Sequence, residues 1–469
     1  MREYLEREDK YDVDDDFVVP DVTEVVGGTR AETSQVELVN AYLDTADGDL
    51  RNRKVTLRRR TGGADEGWQM KVPRHDGRVE VQFPLGDGDE VPGELTELVL
   101  GVGLGKPLVP AVTMTTRRQI TKVLDDAGAV LIEIADDRVA ARSPDGATQA
   151  WREVEAELGS APPEALATIR DRMLAAGASV AASSSKLARV LGGPAEPQGN
   201  KAQVALASYL ATQVDAILLG DIALRRGADP IHATRVAIRR LRSALRIFAE
   251  EVRVPADLDG ELRQYAGLLG VERDRQVQRA YFTKVFADLE PEYVIGSAEA
   301  DLDAHLAAEE AKARTRILQA LRTDRYRAML AALVSLAADP ATVAGATPGG
   351  MRKAARRAER QADRRLDLGL QKRDDVLLHR GRRAAKRARY AAEIAEPVLG
   401  RKAAKDLVDF YKQVQELLGE HQDAMVADET LLAAARRVTG PEGFTYGLLY
   451  AREQERARRS LVAFRKMWA

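Results

Sequence analysis

Two hydrophobic periods divide the chain. Up to about residue 160, apolar side chains alternate with polar ones in short runs bounded by Gly, Asp or Pro, the period of two of a half-buried strand. Residues 36–44, 53–60, 67–72, 78–84, 113–122, 128–134 and 149–157 read this way, and residues 2–11 add a further candidate. Seven or eight such strands predict an antiparallel barrel or sandwich. Pro162 and Pro163, where a first helical turn tolerates them, open a helix through Ala176, and a second helix follows Ser184 and Ser185. From Lys201 the spacing turns helical, rich in Ala, Leu, Arg and Glu. The first helix of this half covers residues 203–226 and stops at Gly227; Asp229 and Pro230 start the next.

The junction, Gly192-Gly193-Pro194-Ala195-Glu196-Pro197-Gln198-Gly199, suits neither helix nor strand. The expected fold is therefore α+β in two domains: residues 1–192 with antiparallel strands and flanking helices, a linker at 193–199, and an all-α domain at 200–469. The helical half repeats itself. His232, Arg235, Arg239 and Arg242 fall at offsets 0, 3, 7 and 10, a single helical stripe, and His379, Arg382, Lys386 and Arg389 repeat those offsets 147 residues later. Leu268-Leu269-Gly270 followed by Asp274 is matched by Leu417-Leu418-Gly419 followed by Asp423. Duplicated bundles at about 203–345 and 350–469 are implied, with a pseudo-two-fold axis bringing both stripes toward one groove.

Composition sharpens this division. The net charge of -2 conceals 24 Lys/Arg against 36 Asp/Glu in residues 1–200 and 47 against 37 in the rest. An acidic half suited to cations is joined to a basic half suited to polyanions. With no cysteine, disulfides, thiolate metal sites and cysteine nucleophiles are excluded, which suits the cytoplasm. No run approaches the ~18 uncharged apolar residues of a membrane span, and the acidic start is unlike a signal peptide, so no membrane partner is expected.

The candidate chemistry lies in charged strands. Glu6, Glu8 and Lys10 leave one face of the first strand, and Glu153, Glu155 and Glu157 one face of the last, where Val154 and Ala156 alternate with the acids. Arg58 and Arg60 do the same in the middle. If the strands close, acids and bases share one interior. Two carboxylates ~5 Å apart repel by ~3 kcal/mol at an effective dielectric of 20, so such an interior calls for Mg²⁺ or Mn²⁺ among the acids and phosphates among the bases. His75, before Gly77, reads as a turn residue.

The ordered set Glu6-x-Glu8-x-Lys10, Tyr42-x-Asp44-Thr45, Leu57-Arg58-x-Arg60, Trp68-Gln69-Met70-Lys71, Arg78-x-Glu80, Arg117, Glu133-Ile134 with Asp137, Glu153-x-Glu155-x-Glu157 and Ser185-Lys186 resembles the CYTH family, the triphosphate tunnel metalloenzymes. The resemblance implies an eight-stranded tunnel that binds a linear triphosphate. It implies Glu6, Glu8, Glu155 and Glu157 as metal ligands, with Lys10, Arg58, Arg60, Lys71, Arg117 and Lys186 on the phosphates; Arg118 is the alternative to Arg117. Glu6, Glu8 and Lys10 would then carry catalysis. Glu80, Glu153 and Asp137 are either ligands or structural partners of arginines.

In the helical half the two stripes carry bases with almost no acids at matching spacing, so a self-paired solvated face does not account for them. Scarce interleaved aromatics argue against nucleic acid. These residues resemble the CHAD family, which implies inorganic polyphosphate binding by His232, Arg235, Arg239, Arg242, His379, Arg382, Lys386 and Arg389, and leaves association with polyphosphate granules open. Asp274 and Asp423 are expected to anchor arginines. The leading expectation is a metal-dependent hydrolase of inorganic triphosphate or polyphosphate ends. The alternatives are a non-catalytic polyphosphate sensor, a thiamine-triphosphatase or an adenylate-cyclase-like tunnel. Oligomeric state is left open.

Overall fold

The structure, a computed structural model, describes residues 2–86 and 88–468, and the chain divides after Ala195 into two compact units. The first is a ten-stranded antiparallel sheet of β1 (Arg2–Glu6), β2 (Glu8–Asp12), β3 (Arg30–Thr45), β4 (Thr56–Thr61), β5 (Gly67–Arg74), β6 (Gly77–Phe83), β7 (Leu108–Leu124), β8 (Val130–Arg142), β9 (Thr148–Leu158) and β10 (Ser179–Val180). The order is β1-β6-β5-β4-β3-β7-β8-β9-β2-β10.

Closure comes from the first dozen residues. Glu6 pairs with Arg78 of β6 and Glu8 with Glu157 of β9, so one segment, broken only at Arg7, joins the two ends of the sheet. The single strand expected at 2–11 is therefore two strands, and the total is ten rather than eight. Residues Arg51–Arg53 form a 3-10 turn before β4, so the predicted strand at 53–60 starts late.

Three helices flank the sheet: α1 (Gly93–Val99), α2 (Ala165–Ala175) and α3 (Lys186–Leu191). Helix α2 supplies Ile169 and Met173 to a core with Tyr11, Ile132, Ile134, Val154 and Ala156. The apolar side of β9 thus faces outward onto this core, which leaves its acids facing inward. Ser185 caps α3, its Oγ accepting from the Ala188 N–H at 3.1 Å, and so fixes where Lys186 enters.

The second unit holds α4 (Lys201–Arg225), α5 (Ile231–Ile247), α6 (Leu258–Ala287), α7 (Ala298–Ala320), α8 (Asp324–Ala338), α9 (Pro348–Lys372), α10 (Asp375–Ile394), α11 (Glu396–Leu399), α12 (Arg401–Ala435) and α13 (Glu442–Trp468). The shift of 147 carries α4 onto α9 end to end, and the last residue of α5 onto that of α10. Helix α4 is long and apolar enough to cross a membrane by length and composition. Asp221 interrupts it, and Leu206, Leu210, Val214, Ile217 and Leu218 are buried. Phe248, Leu241 and Leu245 form the buried side of α5 opposite its basic stripe, as the helical period requires.

Candidate functional site

Strand register sorts the charged residues. Lys10 lies opposite Glu155, Glu157 opposite Glu133, Arg118 opposite Asp137, Arg60 opposite Asn40, Arg58 opposite Tyr42 and Gln69, and Lys71 opposite Glu80. Directly paired residues share a face, so all of these project into one interior. A narrow cavity of about 100 Å³ results, lined among others by Glu6, Lys10, Arg58, Lys71, Arg118 and Glu155. A wider mouth of about 330 Å³, with Glu8, Asp9, Arg74 and Arg170 on its wall, adjoins it through Glu6, Lys10 and Arg78.

Arg117 is the correction. It lies opposite Glu37 and Arg138, its side chain is 81% exposed, and it meets Glu37 at 3.4 Å outside the tunnel. Arg118, one residue on, takes the interior place.

Inside, every base is held by acids or amides. Lys186 Nζ lies 2.9 Å from Asp137, 2.6 Å from Glu153 and 2.8 Å from Glu155. Arg118 donates to both Asp137 oxygens at 2.7 and 2.6 Å and to Glu155 at 2.9 Å. Lys10 bonds Glu8 at 2.9 Å and also Glu155. Lys71 bonds Glu6 at 2.5 Å and Glu80 at 3.2 Å. Arg58 donates to Gln69 at 2.8 Å and the Tyr42 hydroxyl at 3.1 Å, while Arg60 donates to Asn40 at 2.9 Å and to Asp65.

The acids consequently split into two kinds. Burial works against ionisation of Glu80 and Glu155, but Lys71 and Arg58 hold Glu80 at about 2, and Lys10, Lys186 and Arg118 hold Glu155 well below the usual range. Glu157 has the opposite fate: burial, then the charges of Glu6 and Glu8, push it up to about 8.

Two carboxylate groupings bear on a metal. Asp137, Glu153 and Glu155 offer oxygens within 4.8 Å of one another, but the Lys186 ammonium sits among them. The second is Glu6, Glu8 and Glu157, with Glu8 opposite Glu157 in register; Glu6 Oε2 and Glu8 Oε1 are buried with no hydrogen-bond partner, Arg78 lying 4.0 Å from the latter. Orphaned carboxylate oxygens beside an acid raised by burial and then by like charge fit a divalent cation, whose hard oxygen ligands would be these.

The helical half presents a different site. A cavity of about 220 Å³ between α5 and α10 is lined by Arg235, Arg239, Arg242, Arg246, Lys386 and the neighbouring Arg383 and Arg387. Burial, then Arg382 and Arg239, push Lys386 down to about 7. Glycine makes the room: a Cβ on Gly270 would collide with the Arg235 guanidinium, and one on Gly419 would lie 2.9 Å from that of Arg382. This is the use of the duplicated Leu-Leu-Gly. Asp274 meets Arg235 at 3.7 Å and Asp423 faces Arg382.

His232 and His379 lie outside the cavity lining. His232 is exposed, and His379 Nδ1 faces Gln422 Oε1 at 2.8 Å. Arg389 pairs with Glu393 at 3.3 Å and stacks over Tyr390, so much of its charge is compensated. Sequence reasoning missed Asp65 and Asn40, which orient Arg60, and the Arg383/Arg387 pair, whose four-residue spacing beside Arg382 and Lys386 was the available signal.

Comparison with known proteins follows the same division. A family model for the CYTH domain matches residues 16–190, and one for the CHAD domain matches 208–432. An uncharacterized protein of Mycobacterium tuberculosis is 35% identical over 97% of this chain and 94% of its own length. Among solved structures, the CHAD domain of Ricinus communis is 25% identical with a TM-score of 0.48, covering 57% of this chain and 91% of that one. A Hippeastrum protein with a dominant triphosphatase activity is 14% identical with a TM-score of 0.25, covering 40% and 97%.

Proposed function

Because the chain belongs to the proteins that join a CYTH domain to a CHAD domain, we propose that its tunnel hydrolyses inorganic triphosphate, or the ends of polyphosphate, with a divalent metal, and that its helical groove binds polyphosphate. The observation that carries the first part is the interior itself, where Lys10, Arg58, Arg60, Lys71, Arg118 and Lys186 converge with buried carboxylates on one narrow cavity.

Phosphoryl transfer needs positioning and charge neutralisation more than covalent help. Arg58 is pre-oriented by the neutral groups Gln69 and Tyr42, so its guanidinium keeps charge available for phosphate oxygens, while Arg60, oriented by Asn40, would exchange Asp65 for phosphate. Lys71 and Lys10 bridge the acids and the cavity and would exchange a carboxylate partner for a phosphate. Arg118 and Lys186 are locked to Asp137 and Glu155, and hold the far wall. Glu6, Glu8, Glu155 and Glu157 would hold the Mg²⁺ or Mn²⁺, which when bound neutralises phosphate oxygens and makes water a better nucleophile.

Phosphate release by the purified protein from inorganic triphosphate, thiamine triphosphate and ATP, each with Mg²⁺ and with Mn²⁺, tests the reading. Inorganic triphosphate should turn over fastest and Glu8→Gln should lose ~100-fold. Absence of turnover, or full activity in Glu8→Gln, removes the hydrolase and leaves a binding protein.

A further inference from the structure

Beside the groove, the helical half holds a larger cavity of about 660 Å³ between α5, α9 and α10. Arg246, Arg357, Arg365, Arg380, Arg383 and Arg387 line it over an apolar floor that includes Ala358 and Leu377, and no carboxylate does. Arg246 is tied to Asp259 and Arg357 to exposed Glu250, both at 2.8 Å. Arg365, Arg380, Arg383 and Arg387 have no carboxylate partner among the described residues. Burial, then the charges of Arg365 and Arg383, push Arg387 down to about 10.

The duplication explains what this place is. A shift of 147 carries Arg357, Gln361, Arg365 and Leu368 of α9 onto Leu210, Val214, Leu218 and Asp221 of α4, all four buried. There α8 packs on α4, Tyr326 hydrogen-bonding Asp221, and Arg225 of α4 donates to the carbonyl of Leu321, the cap of α7, at 2.9 Å. Helices α9, α10, α12 and α13 correspond to α4 through α7. Positions that are buried in the first repeat thus line an arginine-rich trough in the second.

Arg246, Arg383 and Arg387 line both the trough and the groove, so the two are continuous. We propose that the trough is a second station for an extended inorganic polyphosphate chain, which leaves the groove across these shared arginines and continues over α9. The trough makes binding depend on chain length, because affinity from released counterions grows with each phosphate contacted and a chain confined to the groove gains none of it. This proposal rests on the polyphosphate reading of the groove.

The test is equilibrium binding of inorganic triphosphate and of long-chain polyphosphate to the full chain, in a Lys10→Ala background that weakens the tunnel. Arg365→Ala/Arg380→Ala should weaken long-chain binding about tenfold and lower its salt slope by about one per arginine, while triphosphate binding stays unchanged. Leu368→Glu, at a 42% exposed rim position, should give the same selective loss through a different side chain. Long-chain affinity equal to the unsubstituted protein's in both variants, or equal losses for both ligands, overturns the trough. Absence of long-chain binding to the unsubstituted protein overturns the groove reading itself.

Discussion

The tunnel and the helical groove both gather cations, but they treat the charge in opposite ways. In the tunnel most of the cations are matched by carboxylates: Lys186 alone touches three. In the groove Arg235, Arg242 and Arg246 keep carboxylate partners, but burial, then Arg382 and Arg239, drive Lys386 down to about 7. A matched interior is stable when empty and gives up a partner only to a ligand that brings its own counter-charge, which is why the proposed phosphate ligand would come with a metal. A surface matched only in part stores repulsion that any polyanion relieves. The first arrangement suits selective chemistry on a small anion, the second suits non-selective holding of a long one.

Breaking the match should therefore cost most in the tunnel. Glu155→Ala leaves Lys10, Arg118 and Lys186 under-compensated in a buried site, and should destabilise the N-terminal domain by about 3–5 kcal/mol in denaturant unfolding. Asp259→Ala, which frees Arg242 and Arg246 near the surface, should cost about 1 kcal/mol or less. Acid attacks the same difference. Glu80 is held at about 2, below its unfolded value, so the stability its ionised form lends is complete above pH ~4.5 and is lost as pH falls toward 2.

Next in size is the test of face. Arg118→Ala should cut triphosphate turnover ~100-fold, while Arg117→Ala, one residue away but outside, should leave it unchanged. Equal effects would mean that the register, and with it the interior, is wrong.

The groove should show its repulsion through pH. With Lys386 at about 7 in the free protein and higher once a polyanion is bound, polyphosphate affinity should be full below pH 7 and fall by up to about tenfold per unit above it. Lys386→Met should flatten that slope. Smaller still, Gly270→Ala and Gly419→Ala displace guanidinium tips rather than backbone, and should weaken polyphosphate binding about fivefold, equivalent to ~1 kcal/mol, with little change in thermal stability.

Much of this was legible in the sequence because charge and period were both read at fixed spacing. Glu153, Glu155 and Glu157 alternating with Val154 and Ala156 fixed which way β9 faces, and the 147-residue shift located both basic stripes. What was not legible has physical causes. Arg117 and Arg118 are adjacent, so alternation alone leaves their parity open until Glu37 and Asp137 are placed opposite them. The break at Arg7 leaves no trace in composition, because Glu6 and Glu8 keep the same face while changing partners from β6 to β9. The trough is lined jointly by α5, α9 and α10, whose packing against one another appears only in three dimensions.

The most direct test of the contrast is one titration of the full chain with and without a divalent-ion chelator, following phosphate release from inorganic triphosphate and equilibrium binding of long-chain polyphosphate in the same samples. The largely matched tunnel and the partly matched groove predict that the chelator abolishes release and leaves binding unchanged. Release that persists without metal, or binding that disappears with it, would contradict the account.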